Sequence, residues 1–141
     1  MASGNVTTLT KRMADAYFGS GSFKFLLVTS VASEADLDAF DFRSDITNEV
    51  ASGAGYTTGG VAVTVTVSAI DTTNNRTSVT IADVPSAFTT ATISADGGWL
   101  YKVIGSAATD ELIDFVDFGG TVSSTAGTFA LDFTTPLYVS R

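Results

Sequence analysis

The sequence predicts an all-β protein, mainly antiparallel, of about eight strands with one short N-terminal helix. Three observations predict it. Runs of alternating apolar and polar residues, rich in Val, Thr and Phe, recur along the chain from Phe23 to Val139. Clusters of Gly, Asn, Asp and Ser, the residues of tight turns, separate those runs. Only one stretch, before Gly19, has helical spacing, so no helices alternate with the strands. This pattern points to a β-sandwich, a jelly-roll-like domain or a small barrel, and argues against a parallel βαβ architecture.

The elements follow in order. Leu9, Met13, Ala16 and Tyr17 fall on one helical face, predicting a helix over 9–18 with Thr8 as N-cap and Gly19 as stop. Residues 1–8 before it are expected to form a flexible arm, and 9–141 a single domain, since neither linker nor repeat interrupts them. After Gly21 the period becomes two. Phe23, Phe25 and Leu27 alternate with Lys24, Leu26 and Val28, and apolar residues on both faces predict a central strand. Residues 30–48 read as loop, with 39–42 as a short edge strand. Tyr56 to Gly60 reads as a turn.

Val61, Val63, Val65 and Val67 alternate with Ala62, Thr64, Thr66 and Ser68, predicting one half-buried strand over 61–70. The turn residues Asp71 to Asn75 should join it to a returning strand, 76–81, with Val79 and Ile81 inward. Asp96-Gly97 is a strong hairpin signal, because a type I′ turn needs positive φ at both central residues. It predicts a second hairpin of 90–95 and 98–104, with Trp99, Tyr101 and Val103 on one face. Leu112 to Phe118 reads as a strand stopped by Gly119-Gly120. Thr128 to Phe133 is the next, with Phe129, Leu131 and Phe133 inward, and 137–139 follows Pro136 as a terminal strand.

Composition bounds the function. The 141 residues suit one domain and bury about two-thirds of the unfolded surface. Cys and His are both absent, which excludes disulfides, Cys/His zinc sites and the common nucleophile–base pairs. Charged residues are 16%, and the net charge is −8. A scattered acidic surface repels nucleic acid and anionic lipid, so neither is an expected partner. The polar Met1-Ala2-Ser3-Gly4-Asn5 start does not read as a signal peptide, and no apolar run approaches the ~20 residues of a membrane span, so synthesis in the cytoplasm is expected.

Candidate sites are weighed residue by residue. Lys11, Lys24 and Lys102 stand in no Ser-x-x-Lys spacing. Asp110, Glu111, Asp114 and Asp117 cluster in sequence, but Asp114 and Asp117 differ in strand parity, so they read as loop and polar-face charges rather than a glycosidase pair. Asp36, Asp38, Asp41 and Asp45 offer carboxylates for Ca²⁺ without the EF-hand order, and read as a solvated loop. Gly59-Gly60 and Gly119-Gly120 lack the Lys and helix of a phosphate loop. Trp99, Tyr17, Tyr56 or Tyr101 would serve a carbohydrate-binding module if exposed, although alternating aromatics within a strand are usually core. No catalytic residue, metal ligand or cofactor is therefore assigned.

Several phrases, taken in order, carry a resemblance. They are Phe25-Leu26-Leu27-Val28-Thr29-Ser30, Asp45-Ile46-Thr47-Asn48-Glu49-Val50 and Gly53-Ala54-Gly55-Tyr56-Thr57-Thr58-Gly59-Gly60. Leu100-Tyr101-Lys102, Leu112-Ile113-Asp114-Phe115-Val116-Asp117-Phe118-Gly119-Gly120 and Gly127-Thr128-Phe129-Ala130-Leu131 follow. Across roughly residues 9–135 this order resembles a family of small virion structural proteins of tailed bacteriophages. The resemblance implies a β-rich, non-enzymatic virion component and assigns no binding residues. The expected role is a capsid decoration (cement) protein on the outside of the head, bridging major capsid protein subunits as a homo-oligomer, with a trimer favoured. A tail, neck or fibre-base component is the alternative, and a carbohydrate-binding module the second.

Overall fold

The computed structural model describes residues 4–140. In chain order the elements are helix α1 (Thr7–Phe18), strand β1 (Ser22–Val28), helix α2 (Glu34–Ala39), β2 (Val61–Val63), β3 (Val65–Asp71), β4 (Arg76–Ile81), β5 (Val84–Val103), β6 (Glu111–Leu131) and β7 (Leu137–Ser140), with a 3-10 turn at Arg43–Asp45. The class is as predicted, mostly antiparallel β, with seven strands in two sheets and two helices, of which the N-terminal α1 is the longer. The chain forms two compact units, each assembled from distant segments. One holds residues 22–63 and 84–131, and the other the described residues of 1–21, 64–83 and 132–141.

The larger unit is a four-stranded sheet ordered β2-β1-β5-β6. β1 is central, as its two apolar faces require, and Phe25, Leu26, Leu27 and Val28 are fully buried. Asp96-Gly97 makes no turn. β5 runs straight through it, pairing Gly97 with Val28 on one side and Asp117 on the other. The glycines are there for close approach. A Cβ on Gly97 would lie 2.5 Å from the Phe115 ring, and one on Gly98 would collide with the Phe25 ring and the Leu26 carbonyl. Gly119-Gly120 likewise does not end a strand. The predicted 112–118 and 128–133 strands are parts of one 21-residue β6. Residues 118–121 bulge opposite the single Asp96, with Gly119 and Gly120 at positive φ (75° and 148°). With these mergers, the loss of the 39–42 strand and the splitting of the 61–70 strand, the chain has seven strands rather than about eight. The expected strand at 39–42 is instead the end of α2 and a single bridge from Phe42 to Glu111. Ser33 and Asp36 form a capping box, which starts a helix there.

The smaller unit is a three-stranded sheet, β3-β4-β7, with α1 against it. The predicted hairpin at Asp71–Asn75 is present. The Asp71 carboxylate accepts the Thr73 and Asn74 N–H groups, and Asn75 adopts φ 54°. Val79 and Ile81 are buried, as expected. The predicted 61–70 strand breaks at Thr64, so β2 and β3 belong to different sheets. Alternation alone could not show that break, because the valine period continues through it.

Helix α1 starts two residues earlier than predicted. Val6 stands at the N-cap without a side-chain bond, so Thr8 is not the cap. Thr7 and Thr8 are therefore helical rather than part of an arm, and residues 1–3 of that arm lie outside the described residues. The buried face is Thr10 and Ala14, while Met13 is exposed. Tertiary pairing decides this: the Thr10 hydroxyl shares a 2.8 Å hydrogen bond with the buried Thr77 hydroxyl, a partner no helical wheel reveals.

Candidate functional site

The functional geometry lies in the larger unit, in a polar chain along the ends of β1 and β5. It begins with a ladder that runs out. β2 pairs β1 only at Phe23–Phe25, which would leave the Leu27 backbone unpaired. The Leu27 carbonyl accepts the Val50 N–H at 2.9 Å, and its N–H donates to the Tyr56 hydroxyl at 3.1 Å. Tyr56 in turn donates to Glu49 Oε1 at 2.8 Å, and the same oxygen accepts the Gly59 N–H at 2.5 Å. The Gly59 carbonyl accepts the Tyr101 hydroxyl at 2.7 Å. Gly60, at φ 69°, brings this turn against the Phe25 carbonyl so closely that no Cβ fits.

The chain continues to a buried ion pair. The Arg43 guanidinium lies 5.4 Å from the Tyr101 ring centroid and donates through Nε to Asp110 Oδ2 at 3.0 Å. Asp110 Oδ1 accepts the N–H groups of Ile104 and Gly105 at 2.9 and 3.1 Å, which closes the loop between β5 and β6. Asp110 is a loop charge, as expected, but only 2% exposed. Burial raises its carboxyl, but the Gly105 and Ile104 N–H groups and Arg43 outweigh that and hold it below the ordinary value. Burial pushes Tyr101 up to about 12, against the opposing pull of Arg43. Burial also raises Tyr56, more than the Leu27 N–H lowers it. Both phenols therefore stay protonated donors at neutral pH. Their protons, like the Glu49 and Asp110 oxygens, are committed to holding loops.

The other candidates separate. Asp114 and Asp117 lie opposite Leu100 and Gly97 and hence on opposite faces, as parity predicts. Asp117 is exposed and accepts the Gly119 N–H. Asp114 is half-buried, and desolvation raises its carboxyl more than the Phe115 backbone N–H lowers it. Asp36 caps α2, and Asp45 accepts the Asp41 and Phe42 N–H groups. Among the described residues no group of three or more His, Cys, Asp or Glu is placed to hold a metal ion. Lys11 pairs with Asp15 on α1, and Lys102 lies 5.8 Å from the Phe23 ring centroid.

Trp99, Tyr101 and Tyr56 are 4%, 2% and 3% exposed. Trp99 packs against Phe115 and Phe40, at centroid distances of 5.1 and 6.0 Å, rather than forming an open sugar platform. An open groove of about 200 Å³ beside it is edged by Ser30, Asp36, Thr47 and Asn48. Its polar groups are largely engaged with each other: the Asn48 amide donates to the Ser30 carbonyl and hydroxyl.

Glu49 and Arg43 escape sequence reasoning. Each meets its partner across 7 to 67 residues of chain, and neither stands in a catalytic or metal-binding spacing. The Tyr56 turn is visible in the sequence, but its hydroxyl bond to a strand ending 28 residues earlier is not.

The remaining open geometry is an edge. β6 is the outermost strand of its sheet and pairs on one side with β5. Its outer side is met at the start, where Phe42 bridges Glu111 and the Leu112 N–H donates to the Asp41 carbonyl at 3.0 Å. Among the described residues no strand pairs with that side beyond Leu112.

No family model, no curated protein and no solved structure matches this chain.

Proposed function

We propose that this chain is a non-enzymatic structural subunit of a tailed-bacteriophage virion, a capsid decoration protein that binds the outer surface of the head and bridges major capsid protein subunits. The observation that carries the assembly part of the reading is β6: 21 residues at a sheet edge, whose outer side no strand among the described residues pairs from Ile113 onward. Free strand edges are templates for pairing. The polar side chains of this network support the same reading, because Glu49, Tyr56, Tyr101 and Asp110 lock loops instead of facing a cleft. The net charge of −8 suits the outside of a shell better than contact with packaged nucleic acid. The ordered sequence phrases supply the phage part.

The test is the copy number per purified particle, by quantitative mass spectrometry against the major capsid protein. Hundreds of copies, on the order of one per capsid subunit, are expected of a symmetric shell component. A count of about three to twelve would transfer the protein to the portal–tail axis or the fibres.

A further inference from the structure

We propose that the outer edge of β6 from Ile113 to Phe118 is a strand-addition site for an extended, lysine- or arginine-bearing segment of a partner protein. Three observations converge on this window. It is regular: Asp114 to Asp117 pair with Leu100 to Gly97 without a shift, and β1 backs the same stretch of β5. An incoming strand would therefore add to a template already three strands deep. The window is also bounded, by the register shift opposite Leu100 and Tyr101 at one end and by the 118–121 bulge at the other. Edge strands are ordinarily blunted by charged side chains, above all Lys, by Pro or by a bulge. Ile113-Asp114-Phe115-Val116-Asp117-Phe118 contains neither Lys nor Pro, its only charges are Asp114 and Asp117, and its bulges are confined to its two ends, at Ile113 and from Phe118.

Charge selects the occupant. β6 carries Glu111, Asp114 and Asp117 and neither Lys nor Arg. Asp114 is half-buried, and no cation pairs with it among the described residues. The backbone N–H of Phe115, its own neighbour, favours the charged form of its carboxyl. A basic side chain on an added strand would meet that carboxylate. A second copy of this chain is a poor occupant, because pairing β6 with β6 sets acids against acids between molecules of net charge −8. Strand addition takes affinity from backbone bonds and specificity from alternate side chains, so the segment that fits is extended, with basic residues in alternation. This deepens the assembly reading, and rests on it for the partner being another virion protein.

The experiment uses the isotopically labelled full chain and three synthetic eight-residue peptides. They are alternating valine and lysine, alternating valine and glutamate, and the lysine peptide with every backbone nitrogen methylated. Expected with the lysine peptide is at least tenfold slower amide exchange confined to residues 113–118. The glutamate peptide should bind at least tenfold more weakly, and Asp117→Lys should reverse that preference. The methylated peptide, which keeps its charge but cannot donate along an edge, should leave exchange unchanged. No protection at millimolar lysine peptide overturns the proposal. So does equal binding by the glutamate or the methylated peptide. These readouts need no particle, so their failure leaves the copy-number result standing, and a low copy number leaves strand addition standing.

Discussion

The β5–β6 hairpin has two halves of different order. In the half next to its connecting loop, Gly97–Val103 pairs with Asp117–Glu111 through one register shift, and β1 pairs the far side of β5 throughout. In the other half, Val84–Ala95 against Leu131–Val122, the register shifts three times before Ile93. Thr90 and Ala126 are driven to φ 52° and 47°. Side chains there make up for broken ladder bonds: Ser124 donates to the Ala91 carbonyl, and Thr92 accepts the Ala126 N–H. The difference is the third strand. A strand paired on both sides cannot bulge without breaking two ladders, whereas a two-stranded ribbon twists and slips cheaply. The ribbon half is held by rings, with Phe88 5.0 Å from Tyr56 and 6.4 Å from Phe129 between centroids.

The largest effect that tests this contrast is steric. Gly98→Val drives a side chain into the Phe25 ring and the Leu26 backbone and should cost about 3 kcal/mol or more. In the ribbon half, a Cβ at Gly127 meets only the Thr125 carbonyl at 3.6 Å, so Gly127→Ala should stay within about 1 kcal/mol of the parent. Thermal unfolding compares them, and equal losses would show that the two halves are equally constrained.

Phe88→Ala should cost about 3 kcal/mol, because Phe88 is buried and its removal leaves a ring-sized cavity. Amide exchange should rise in residues 84–95 and 122–131 and stay slow in 97–103. A uniform rise would mean that the ribbon does not depend on its rings.

Asp110→Asn sharpens the ordered half and should cost about 2 kcal/mol at neutral pH, through the lost charge-assisted bonds to Arg43 and the loop. The pH dependence follows from the direction of the shift. The folded carboxyl lies below its ordinary 3.8, so its contribution is complete above that value and is lost as pH falls through the lower folded value. Acid titration of parent and variant should therefore converge at low pH. A gap that persists there would place the effect outside ionisation.

Much of this was legible beforehand. The strand at 23–28 was readable as central because both its faces are apolar. The 76–81 strand and its Asp71–Asn75 turn were readable because a carboxylate caps its own loop within three residues. Trp99 and Tyr101 were readable as core. The misreadings share a cause. Asp96-Gly97 and Gly119-Gly120 looked like turns because glycine permits turns, yet Gly97 serves close packing and Gly120 a bulge. The candidate site was less visible: Tyr56 and Asp110 were noticed, but not that they belong to one polar chain with Glu49 and Arg43.

Sequence alone determined the class, the alternation of most strands and the absence of thiol and imidazole chemistry, because these depend on residue type and on spacings of a few residues. Only the tertiary structure decided that one valine run serves two sheets, that α1 buries Thr10 and Ala14 rather than Leu9 and Met13, and that β6 is an edge. Each of these depends on which distant segment arrives alongside. A pattern of period two states that a strand has two faces, but not which neighbour, if any, will satisfy its edges.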